Sequence, residues 1–199
     1  MPPGGVLLTG GTSARLGAPK ALLGARGERL VDRTARVLTE VAHPVVEVGP
    51  GYSTLPSTRE DPPGEGPLAG FAAGAAWLEE AGCEDAFLVV AVDLPLLSSE
   101  LLRWVAGRPG DMTVVPRVDG VAQSLCARYA PGTGALASTL LAAGERSMRA
   151  LLAAATVEYV DEDEWGGVVP RAVFTDVDTP DDAARAGLET PGGSLASDE

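Results

Sequence analysis

Residues 85–92, DAFLVVAV, constrain the fold more than any other stretch of the chain. From Ala86 to Val92 seven residues pass without a charge. A strand with one wet face alternates apolar and polar side chains. A continuous apolar run is instead a strand covered on both faces. Such a strand needs other elements above and below it, and the rest of the sequence supplies them. Further strands are expected at 6–8, 44–48, 112–115, 122–129, 156–160 and 172–175. Helical spacing is expected over 30–41, 67–81, 98–106, 134–143, 147–155 and 180–186. Strands alternating with helices predict an α/β sheet, mostly parallel, with helices on both faces. Within 67–81, Ala69, Gly70, Ala73 and Gly74 form a small-residue face suited to close packing on a sheet. The chain reads as one domain over 1–188, with a disordered tail over 189–199.

In open sheets of this type ligands sit beyond the carboxyl ends of the strands. Three such ends carry chemistry. The first is Gly4 to Leu23, GGVLLTGGTSARLGAPKALL, where an apolar strand runs into Thr9-Gly10-Gly11 and then Arg15 and Lys20. Glycines let a ligand approach bare backbone N–H groups, and consecutive N–H groups in a concavity bind anions. Lys20 is the only lysine against fourteen arginines. A compact ammonium suits a point contact to a phosphate, where Arg suits a planar fork. The loop therefore reads as a polyphosphate grip.

The second end is Asp93-Leu94-Pro95, closing the buried strand. A carboxylate there needs a partner, and either a bound cation or a capped turn serves. Mg²⁺ takes one or two carboxylates plus substrate phosphates and waters. The third is Asp176-Val177-Asp178-Thr179-Pro180-Asp181-Asp182. Asp178 and Asp181 fit two roles equally, metal ligation or the N-terminus of a helix with acids in its first turn.

The remaining composition removes function classes. Net charge is −13, of which residues 158–199 hold −10. An acidic chain lacks the general footprint for nucleic acid. His43 is the only histidine and precedes a proline, and Cys83 and Cys126 have no metal spacing. The cysteine usage and the absence of a basic, apolar leader point to the cytoplasm, and the absence of any long apolar run to no membrane span. GGTSARLG lacks the G-x-G-x-x-G order of a dinucleotide fold, and Glu47 lies too early to be its ribose-binding acid. No Gly-Lys-Ser/Thr follows, so it is not a P-loop either.

With these residues in place, LLTGGTSARLGAPKALL resembles the signature loop of nucleotidyltransferases. GPLAG at 66–70, Asp93-Leu94-Pro95, Gln123-Ser124-Leu125, GERSMRALL at 144–152 and DVDTPDD at 176–182 follow in an order similar to the molybdenum cofactor guanylyltransferases. The likeness covers residues 4–188. Thr9, Leu16, Pro19 and Ser124 stand where that pattern usually has other residues. The resemblance implies a three-layer Rossmann-like nucleotidyltransferase fold. It implies transfer of GMP from GTP to the phosphate of molybdopterin, with Mg²⁺ as cofactor. It places Leu8, Thr9, Gly10, Gly11, Lys20, Asp61 and Asp93 at the nucleotide, and gives Arg15, Lys20 and Asp93 the catalytic roles. It puts the metal on Asp93 and Asp178, and Gln123, Arg146, Arg149, Asp176 and Asp178 on the acceptor side. Molybdoenzymes or molybdopterin-carrying proteins are the protein partners it implies. Two alternatives stand beside it: a related transferase using CTP, or GTP with another small phosphorylated acceptor, and a non-catalytic nucleotide-binding module.

Overall fold

The computed structural model describes residues 2–10, 16, 18–25 and 27–189. In chain order the elements are β1 (Gly4–Leu8), β2 (Gly24–Ala25), β3 (Glu28–Arg29), α1 (Leu30–Thr39), β4 (Val45–Val48), β5 (Ser57–Thr58), α2 (Pro67–Glu80), β6 (Phe87–Ala91) and α3 (Ser99–Ala106). There follow β7 (Thr113–Val118), β8 (Val121–Ala122), β9 (Cys126–Tyr129), α4 (Thr133–Ala142), α5 (Met148–Ala154), β10 (Val157–Val160), α6 (Glu162–Trp165) and α7 (Pro180–Arg185). The main sheet runs β10-β7-β9-β6-β1-β4-β5, with β8 added on β7. The pairs β1–β4, β1–β6, β4–β5 and β7–β10 are parallel. Strand β9 is antiparallel to both of its neighbours.

This is the three-layer, Rossmann-like arrangement that the continuous apolar run requires. All five residues of β6 are buried. Val6, Leu8, Phe87 and Val89 pack with Leu68, Phe71, Leu78 and Leu151 of α2 and α5 on one face. Leu7, Leu88 and Val90 pack with Val31, Leu38, Leu101 and Val105 of α1 and α3 on the other. The period of two along each strand divides its side chains between the two cores. Helix α2 sits close because it has glycines where it meets the sheet. A Cβ on Gly74 would stand 2.5 Å from Val6 Cγ1, inside any tolerable contact.

Beside the short strands β2, β3 and β5, which the sequence did not announce, three further differences from the sequence-based expectation stand out. Residues 122–129 form two strands rather than one. Asp119 and Gly120, with φ of 49° and 75°, close a two-residue hairpin between β7 and β8. Both central residues at positive φ match the twist of a hairpin. The return is too short for a crossover, so β9 enters the sheet antiparallel. Residues 172–175 do not form a strand; Arg171–Phe174 is a 3₁₀ turn. Val173, Phe174 and Val177 are buried at helical rather than alternate spacing, and Phe174 meets Trp165 edge-on at 5.0 Å. Finally, the acidic segment after β10 folds into α6, whose N-terminal end is fixed by a capping box between Asp161 and Glu164.

The topology gathers the expected strand ends. Val92 N–H donates to Leu8 O at 3.1 Å, and Thr9 N–H donates to Val48 O at 3.0 Å. Val177 N–H donates to Asp93 O at 3.1 Å, so the chain after the 3₁₀ turn runs alongside the end of β6.

Candidate active site

Asp93 stands two residues past β6, at the centre of this edge. Its side chain is partly buried. Burial pushes its carboxyl above the ordinary aspartate range, the positive charge of Lys20 pulls it back, and Asp176 and Asp178 add to the upward push. The loop that carries it is held from α1. Arg33 Nε donates to Pro95 O at 2.7 Å, and its Nη2 to Leu97 O at 3.3 Å. Arg33 was invisible to motif reading. The only available signal was its place on the inner part of an amphipathic helix, where a cation needs acceptors.

Lys20 opens a short 3₁₀ turn over Lys20–Leu22. Its Nζ lies 3.6 Å from Asp93 Oδ2 and is hydrogen-bonded to Asp178 Oδ1. The sole lysine therefore joins two carboxylates from segments 85 residues apart. Asp178 is not the cap of α7. That role falls to Thr179, whose hydroxyl accepts from Asp182 N–H while the Asp182 carboxylate accepts from Thr179 N–H. Asp178 is left pointing to the lysine, and Asp181 lies in the first turn of α7.

Asp93 separates two hollows. The larger, about 970 Å³, is lined by Leu8, Thr9, Gly10 and Lys20 on one side and by Gly49, Pro50 and Tyr52 on the other. Arg59, Glu60, Pro63 and Gly64 form its rim. A Cβ on Gly10 would meet no described atom within 4 Å, so the backbone there is open to a ligand. The smaller hollow, about 300 Å³, lies beyond Asp93 and is lined by Gln123, Ser124, Cys126, Phe174 and Asp176. Burial pushes the Cys126 thiol up to about 12, with the charge of Asp93 adding to it, so this cysteine is no nucleophile at neutral pH.

Other candidate residues fall elsewhere. Gly11 and Arg15 lie outside the described residues. Asp61 is exposed, between Glu60 and Pro63 on the rim, and lines neither hollow. Arg146 is paired with Glu65 at 2.5 Å and donates to Leu141 O and Glu145 O. Its own carbonyl lies 3.8 Å from the position of a Cβ on Gly66, at the rim of the larger hollow. Arg149 is exposed and lines neither hollow. Glu47, set aside in the sequence as misplaced for a dinucleotide site, is completely buried next to Thr9. An acid flanked by valines in a buried strand was its signal.

Among the described residues no three His, Cys, Asp or Glu side chains converge on one point. The protein thus offers two carboxylates, Asp93 and Asp178, that already share one cation, the Lys20 ammonium. That all-oxygen pair fits a hard divalent ion completed by phosphates and water. Carboxylates, a lysine and open backbone at a parallel-sheet edge suit positioning and neutralising a polyphosphate. Among the described residues no helix is long and apolar enough to cross a membrane.

Comparison with known proteins shows the family and the fold. Residues 5–161 match the family model of the MobA-like NTP transferase domain. A probable molybdenum cofactor guanylyltransferase of Bacillus cytotoxicus is 30% identical over 192 residues, covering 90% of this chain and 94% of that protein. One of Mycobacterium tuberculosis is 38% identical over 161 residues, covering 76% and 80%. Among solved structures, the molybdopterin-guanine dinucleotide biosynthesis protein A of Archaeoglobus fulgidus superposes with a TM-score of 0.77 at 21% identity, over 92% of this chain and 96% of that one. The 2-C-methyl-D-erythritol 4-phosphate cytidylyltransferase of Thermus thermophilus gives 0.62 at 20% identity, over 93% and 97%.

Proposed function

The chain belongs to the MobA-like NTP transferase family and is a nucleotidyltransferase; from that premise we propose that it transfers GMP from GTP to the phosphate of molybdopterin, releasing pyrophosphate. The names of the relatives that align along most of their length support the choice of nucleotide and acceptor. The observation that carries the reading is the Lys20–Asp93–Asp178 cluster at the junction of a large and a small hollow. A two-substrate transfer needs that junction, with the nucleotide on one side and the acceptor phosphate on the other.

The reaction asks little acid–base chemistry of the protein. An oxygen of the acceptor phosphate attacks the α-phosphorus of GTP, and the bond from that phosphorus to the β-bridging oxygen breaks. The attacking group is already an anion, so no general base is required. Catalysis then rests on alignment and charge neutralisation. In our reading the Thr9–Gly10 backbone lies against the nucleotide, and Lys20 neutralises the triphosphate and the departing pyrophosphate. Gln123 and Asp176 face the acceptor. Asp93 and Asp178 would hold a divalent ion, Mg²⁺ in this reading, which supplies Lewis-acid polarisation of phosphate oxygens when bound.

The test is incubation with Mg²⁺, a molybdopterin-loaded carrier protein and either GTP or CTP. Pyrophosphate and a guanine dinucleotide are expected with GTP. Turnover with CTP and none with GTP would overturn the guanylyl assignment.

A further inference from the structure

Glu47 is the one acid among the buried polar residues of the described chain, with no exposed surface at all. A carboxylate in a dry strand is tolerated only when fixed donors meet its lone pairs. Here they come from two separate segments. Thr9 Oγ1 donates to Oε1 at 2.7 Å from the end of β1. The loop after β4 supplies Gly51 N–H at 3.1 Å, Tyr52 N–H at 2.8 Å, Ser53 N–H at 2.7 Å and Ser53 Oγ at 2.6 Å. Three successive backbone N–H groups thus turn inward to one side chain. Gly49 closes the joint. Its φ is +151°, and a Cβ there would stand 2.3 Å from Thr9 Oγ1.

The segment so fastened is also the wall of the larger hollow. Gly49, Pro50 and Tyr52 line it together with Thr9 and Gly10, which follow β1 and are gripped by Glu47 through Thr9. The N–H groups of residues 51–53 are spent on the carboxylate and cannot donate to a ligand. Among the described residues no donor reaches the carbonyls of Gly49, Pro50 or Gly51. The backbone groups this wall has left are acceptors, and the Tyr52 hydroxyl beside them can accept or donate. A base edge with two adjacent N–H donors, as in guanine, complements acceptors; the ring-nitrogen and carbonyl acceptors of cytosine repel them. Sites that leave a polar group unmatched discriminate strongly.

We infer that Glu47 is a positioning residue that selects the base, by fixing the 49–53 wall and withholding its N–H donors from the cleft. The inference rests on the larger hollow being the nucleotide site. It is tested by titration calorimetry of GTP, CTP and inorganic tripolyphosphate, each with Mg²⁺, on the wild type, Glu47→Gln and Ser53→Ala. Glu47→Gln is expected to weaken GTP about tenfold and to cut the GTP-over-CTP ratio by a similar factor, the loss of roughly one charge-assisted bond's worth of alignment. Tripolyphosphate, which lacks a base, is expected to bind as to the wild type. Ser53→Ala removes one donor without touching the carboxylate and is expected to shift the ratio in the same direction by about threefold; it decides the matter if Glu47→Gln does not fold. A ratio kept by the variants, whatever their melting temperature, overturns the role given to Glu47 and leaves the guanylyl reading intact. A wild type with no preference for GTP overturns both.

Discussion

Glu47, in β4, and Asp93, just past β6, stand at the same end of the two strands that flank β1, and the chain treats them in opposite ways. For Glu47, burial pushes the carboxyl up, but the bonds from Ser53, Thr9 and the loop N–H groups outweigh it and hold it below the ordinary glutamate range. For Asp93, burial wins, and the carboxyl stays above its ordinary range despite Lys20. The difference lies in the donors. Glu47 has five, all rigidly placed, and has no capacity left for a ligand. Asp93 has a lysine it shares with Asp178 and an open hollow on each side. A carboxylate satisfied within the fold builds a site; one left poorly satisfied acts in it.

Removing each charge while keeping its shape puts this contrast at risk. Asp93→Asn is expected to lower the rate of pyrophosphate release by a factor on the order of 10³, because a carboxylate that would hold the divalent ion is lost. Its melting temperature should stay at or above that of the wild type, since the fold disfavours the charge it loses. A variant that melts well below the wild type would erase the contrast, and one with near-normal turnover would remove Asp93 from the chemistry. Lys20→Ala is the next effect in size. GTP binding should weaken about tenfold, the scale of a charge-assisted contact, and GMP binding much less. Equal losses for GTP and GMP would detach Lys20 from the β- and γ-phosphates.

The sequence made one side of the contrast legible and hid the other. Asp93 could be read because it ends a long uncharged run, which no ordinary surface acid does. Lys20 could be read because it is unique in an arginine-using chain and follows a glycine loop. The meeting of Lys20 with Asp178 could not be read, because it joins residues 20 and 178 through the packing of the post-β10 segment along β6. The spacing of Asp178 and Asp181 left capping and ligation open, and only the geometry gave the cap to Thr179. Strand 172–175 was misread for a related reason. Buried residues at 173, 174 and 177 follow a turn of helix, yet a four-residue apolar window resembles a strand. Glu47 was passed over because pattern reading asks whether an acid falls at a motif position. Its meaning depends on donors from residue 9 and residues 51–53, which the β1–β4 pairing brings together.

An effect on stability rather than on turnover tests that last point most directly. Glu47→Gln keeps the volume and one carbonyl oxygen but loses the charge that five donors converge on. The cost at pH 7 should be about 2 kcal/mol, seen as a fall of roughly 4–8 °C in melting temperature. The pH dependence carries the sign. The folded-state pKa of Glu47 lies below its unfolded value. Its ionised form therefore contributes stability that is fully present above the unfolded glutamate value near 4.3 and is lost as pH falls through the depressed folded value. The gap between wild type and Glu47→Gln, followed by denaturant midpoint, should be constant from pH 7 to about pH 5 and close only below about pH 4. A gap that widens as pH falls from 7 to 5 would mean that Glu47 takes up its proton above the ordinary glutamate range, as an acid starved of donors would. It would then resemble Asp93, and the opposition between the two acids would fail.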